Sequence, residues 1–86
     1  MNDFDIADEK VHPVETQWHY QIMVKAGFLP LTKEAVGFVR KYNYEHPDGR
    51  KITVATGVNA DYWDDTTSGE HGYWSTLEPY LKSMSI

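Results

Sequence analysis

Residues 36–58 constrain this chain more than any other stretch, because they read as a β-hairpin whose turn and strands agree on one register. Pro47 presets φ for the first position of a type I turn, and Asp48 suits the second. Gly49 takes the left-handed conformation that closes a three-residue loop with a bulge. That turn sets His46 opposite Arg50, Glu45 opposite Lys51, Tyr44 opposite Ile52, Tyr42 opposite Val54 and, farther out, Phe38 opposite Val58. Side chains alternate between faces along a strand. One face therefore carries Phe38, Tyr42, Tyr44, Ile52, Val54 and Val58, and the other Lys41, Asn43, Glu45, Lys51, Thr53 and Ala55. Slipping the register by one residue would turn every apolar group to the wrong side. Arg40, opposite Thr56, is the exception on the apolar face, where its stem packs while its head reaches water.

A lone hairpin is marginal in water, so the rest of the chain must cover it or extend it. Residues 13–26 predict a helix: Pro13 and Glu15 suit a first turn, Val14, Trp18, Ile22 and Ala26 recur at helical spacing, and Gly27 ends it with Phe28 folding back. Thr32 to Ala35 predict a single helical turn before the hairpin. After Gly57 the chain either prolongs the second strand or bends into a third, and residues 66–72 read as a loop. Ser75-Thr-Leu-Glu78 predicts a capping box for a last helix running to Met84 with a stripe of Leu77, Tyr80, Leu81 and Met84. Residues 1–10 predict a frayed acidic terminus, and residues 11–86 a single domain. The fold class expected is α+β, in the order α-β-β-(β)-α, with the antiparallel hairpin covered on one face by two helices.

At 86 residues the core is small, and three Phe, three Trp and six Tyr supply much of it. The chain has no cysteine, no apolar run of transmembrane length and no signal-peptide hydrophobic region, which points to a cytoplasmic protein without membrane association. A formal net charge of −5 argues against general binding to nucleic-acid phosphates. The charge is uneven: Asp3, Asp5, Asp8 and Glu9 crowd the start and Asp61, Asp64, Asp65 and Glu70 the stretch after the hairpin, while Lys25, Lys33, Arg40, Lys41, Arg50 and Lys51 make the middle mildly basic.

The segment after the hairpin holds the strongest candidate site. Tyr62, Trp63, Tyr73 and Trp74 bracket Asp61, Asp64, Asp65, Glu70 and His71. Exposed Tyr and Trp beside charge are the material of interface hot spots, whereas packed on the hairpin the same rings would staple the last helix. The leading expectation is a small acidic, non-enzymatic interaction protein that binds a protein partner through residues 61–74, with Asp61, Tyr62, Trp63, Asp64, Asp65 and Tyr73 in contact. No catalytic residue and no cofactor is assigned. A third expectation, from another class, is a metal-dependent enzyme using Asp61, Asp64, Asp65 and His71, although their spacing fits neither a calcium loop nor a zinc signature. His46 could serve as a general base, but the turn is reason enough for its presence.

The order Lys25-Ala-Gly-Phe28 at a helix end, then Tyr44-Glu-His-Pro-Asp-Gly-Arg-Lys-Ile-Thr-Val54, then Ser75-Thr-Leu77 before a last helix resembles the layout of small HicA-type mRNA-interferase toxins. The resemblance implies a double-stranded-RNA-binding-like α-β-β-β-α topology. With the turn aligned, the family's catalytic histidine position falls at Lys41, the family's Gly-Ser-His run is missing, and the acidic segment after Gly57 is foreign to the pattern. The resemblance thus implies topology without activity. The alternative it implies is an RNA-binding domain, or a degenerate toxin-type nuclease, working through Lys41, Arg50 and Lys51.

Overall fold

The computed structural model describes residues 13–57 and 61–84. The expected frayed start at 1–10 and the pairing of Phe38 with Val58 involve residues outside these. Among the described residues the chain forms two α-helices and a five-stranded antiparallel sheet, giving a mixed α+β domain. The strands are β1 (Leu29–Val36), β2 (Val39–Glu45), β3 (Lys51–Gly57), β4 (Tyr62–Asp65) and β5 (His71–Tyr73), in sheet order β1-β2-β3-β4-β5. The expected α-β-β-(β)-α order thus becomes α-β-β-β-β-β-α. None of the described helices is long and apolar enough to cross a membrane.

The central hairpin has the expected register. Glu45 pairs with Lys51, Tyr44 with Ile52, Tyr42 with Val54 and Arg40 with Thr56. Gly49 has φ +98, its N–H donates to the His46 carbonyl, and the His46 N–H donates to the Arg50 carbonyl. The Asp48 carboxylate accepts from the Arg50 N–H at 3.0 Å, and chiefly for that reason its pKa lies below the usual carboxylate value.

Two expectations about the approach to the hairpin are overturned. Thr32 to Ala35 form part of β1, paired along β2, and not a helical turn. An edge strand needs no apolar alternation, and an edge is where Pro30, without an N–H, is tolerated beside the bulge at Pro30/Thr32. Phe38 does not lie on the apolar face. It occupies the tip of the β1–β2 turn with Gly37, whose φ of +63 suits the primed hairpin turns, and it is 86 % exposed.

The first helix is shorter than residues 13–26. Val14–Thr16 make a 3-10 turn, Gln17 is extended, and α1 spans Trp18–Lys25. Its end is a Schellman motif: the Phe28 N–H donates to the Met23 carbonyl, the Gly27 N–H to the Val24 carbonyl, and Gly27 has φ +95. The later start rotates the inward face. His19 and Met23 are fully buried, while Trp18, Ile22 and Ala26 flank them.

The last helix, α2 (Leu77–Ser83), has no capping box. Ser75 lies in a 3-10 turn at Trp74–Thr76, and no side chain caps α2. Thr76 precedes the helix instead, and its hydroxyl has other work: it donates to the Tyr73 carbonyl and accepts from Trp63 Nε1 at 3.0 Å. One buried cluster joins Met23, Phe28, Tyr42, Tyr44, Ile52, Val54, Trp63, Leu77 and Leu81, so both helices and the three central strands share a core.

Candidate functional site

The alternation of β4 decides which of the candidate residues can meet a partner. Along Tyr62-Trp63-Asp64-Asp65 exposure alternates: Tyr62 and Asp64 are exposed, and Trp63 and Asp65 are buried. Expected as surface groups, Trp63 and Asp65 are structural instead. The Trp63 indole stacks on Tyr80 at 4.3 Å and lies against Gly72 of β5, where a Cβ would stand 3.0 Å from its ring. Glycine at that position is what lets the indole cross the strand.

Asp65 organises the β4–β5 turn, within the stretch expected as a loop. One carboxylate oxygen accepts from the Thr67 N–H at 2.9 Å and the Ser68 N–H at 3.2 Å, and the other accepts from the Tyr80 hydroxyl at 2.7 Å. Burial above all, with the Asp65 carboxylate adding to it, raises the Tyr80 phenol above its ordinary pKa, so Tyr80 keeps the proton it donates. Asp65→Ala should cost about 2 kcal/mol by stranding these donors. Equilibrium urea denaturation checks it, and an unchanged midpoint would mean that the turn holds without the carboxylate.

The remaining candidates meet on the other side of the strands. Tyr62 pairs directly with Tyr73 and Asp64 with His71. Tyr62 is 39 % exposed and Tyr73 is 75 % exposed. Directly opposed side chains lie about 5 Å apart at Cβ, so the two tyrosines form one patch. Register carries the row onward: Tyr62 faces Ala55, and Ala55 faces Lys41. The neighbouring row runs Thr32, Asn43, Thr53, Asp64 and His71. It is tied across β1, β2 and β3 by hydrogen bonds from Asn43 Nδ2 to Thr32 Oγ1 and from Thr53 Oγ1 to Asn43 Oδ1. Asp61 is exposed at the start of β4, where its carbonyl accepts from the Trp74 N–H.

The basic candidates are partly neutralised. Lys51 Nζ lies 3.9 Å from Glu45 Oε2, and Arg50 Nε lies 3.3 Å from Asp48 Oδ2. Lys41, on the same side as the tyrosines, stands opposite Glu34 in the register. The set Asp61, Asp64, Asp65 and His71 is divided, because Asp65 turns inward to Tyr80 while Asp64 and His71 turn outward. Among the described residues no three histidine or carboxylate side chains converge as metal ligands would.

Two features have little local signal in the sequence. His19 is a fully buried polar group inside the aromatic core, signalled only by its i, i+4 spacing to Met23. Trp18 and Trp74 meet although they belong to opposite ends of the chain, a long-range contact with no local signal. Compared with protein-family models, with curated proteins and with solved structures, the chain matches none.

Proposed function

We propose that the chain is a small, non-enzymatic interaction protein that binds a protein partner through the outward side of β4 and β5, with Tyr62 and Tyr73 at the centre and Asp61 and Asp64 beside them. The observation that carries the reading is the direct pairing of two exposed tyrosines. Two adjacent rings offer a large amphipathic contact at little entropic cost, and the flanking acids favour a basic partner surface. The reading takes the two helices to cover the Tyr42–Trp63 side of the sheet and to leave the tyrosine side open to a partner. Trp63 and Asp65, as core groups, serve it by holding β4 in place.

The test is a double variant, Tyr62→Ala with Tyr73→Ala. Affinity capture from the native host should recover a partner with the wild type and lose it with the variant, while the urea midpoint moves little. Loss of the fold in the variant, or undiminished recovery, would defeat the reading.

A second reading, RNA binding, draws on the placement of Lys41 in the same row as the tyrosines, which aligns a cation with stacking surfaces. Retention of single-stranded RNA at low salt, weakening steeply as salt rises, would support it. No retention at low salt would remove it.

A further inference from the structure

Trp18 and Trp74 form a corner where the start of α1 meets the segment after β5. Their ring centroids are 6.0 Å apart and their planes meet at 71°. Both rings, together with Asp61, line an open surface cleft of about 350 Å³ among the described residues. The buried His19 ring meets Trp18 edge-on at 5.2 Å, and the Trp74 backbone N–H donates to the Asp61 carbonyl. Trp74 is 57 % exposed, so the cleft is reached from solvent.

We infer that this corner binds a quaternary or methylated ammonium group. An indole face carries negative electrostatic potential, and a cation seated between two nearly perpendicular faces lies within the ~6 Å reach of both. A methylated ammonium is the cation best matched to such walls. It cannot hydrogen-bond, sheds water cheaply and presents apolar methyl groups to the rings. The Asp61 carboxylate supplies the charge that distinguishes it from a neutral ligand of the same shape, and a net charge of −5 favours the approach of cations. An anion would meet Asp61 and the ring faces unfavourably. The site uses Trp18 and Trp74, which the tyrosine patch does not, and it stands or falls without that patch.

The experiment titrates the intact protein with tetramethylammonium, with choline and with a peptide bearing one trimethyllysine, following the indole N–H resonances. Saturable shifts are expected at Trp18 and Trp74, with little change at Trp63, whose N–H is held by Thr76. The uncharged isostere of choline, with tert-butyl in place of trimethylammonium, should bind about tenfold more weakly. Asp61→Asn should weaken binding several-fold. Trp74→Leu, which keeps apolar surface but removes the ring, should abolish saturation while the remaining resonances keep their dispersion. Tighter binding of the peptide than of choline would identify a modified protein as the source, and the reverse a free metabolite. Equal affinity for the uncharged isostere, saturation that survives Trp74→Leu, or no saturable shift with any of the three cations would overturn the inference.

Discussion

Replacing Trp63 with alanine is expected to destabilise the protein by about 3–5 kcal/mol, the range for a large aromatic removed from a core. The indole is 3 % exposed, stacks on Tyr80, donates to Thr76 and fills the space above Gly72. Its loss therefore opens a cavity between β4 and α2 and uncovers β5, a strand of three residues that pairs only with β4 among the described strands. Tyr62→Ala is the matched control, because Tyr62 precedes Trp63 on the same strand but points the other way. That variant should lose less than about 1 kcal/mol, as surface substitutions do. Urea denaturation of the two variants side by side measures the difference. Equal losses would mean that β4 does not divide its side chains between core and surface.

The second large effect is a dependence on pH carried by His19. Its Nδ1 lies 2.7 Å from the Tyr44 hydroxyl, its Nε2 has no hydrogen-bond partner among the described residues, and the rings of Trp18, Tyr42 and Tyr44 surround it. Burial also raises the Tyr44 phenol pKa, so Tyr44 is protonated at every relevant pH. An imidazolium here would need to place a second N–H where no described residue accepts it, and burial lowers the His19 pKa from 6.5 to about 4. The unfolded chain therefore binds a proton that the folded chain refuses between those two values. Stability is full above pH 6.5, falls as the pH drops toward 4, and changes no further through this group below that. The span corresponds to about 3 kcal/mol, a large share of what a domain of this size has. His19→Phe should be flatter over the same window, and the difference between the two curves isolates His19 from the other titrating groups. A wild-type profile no steeper than that of the variant would show that the imidazole is hydrated in the folded state.

The central hairpin was legible in the sequence because turn chemistry and apolar pairing had to agree, and only one register satisfied both. Phe28 was legible for a similar reason, since Gly27 at a helix end leaves the following apolar residue one place to go. The rest failed where no local signal exists. β1 carries Thr32, Lys33 and Glu34 without alternation, because a strand that pairs only with β2 among the described strands does not need it. In β4 the four residues are all large and polar or amphipathic, so nothing in Tyr62-Trp63-Asp64-Asp65 says which parity turns inward. That choice is made by distant groups: Gly72, which gives the indole room, and Thr76 and Tyr80, which satisfy Trp63 and Asp65. The capping box failed for the same reason, since Thr76 is held by Trp63 and Tyr73 and α2 begins after it. The division of residues 61–74 between surface and core was therefore set by contacts that the sequence does not announce.

The meander carries a kinetic consequence. Each strand lies beside its neighbour in the chain, so the sheet can grow one hairpin at a time, each closure spanning a short loop. Topologies of this kind, rich in local contacts, fold quickly for their content of β-structure. Among the described residues, the long-distance event left is the meeting of the two helices, where Met23 joins Leu77 and Leu81 in one core cluster.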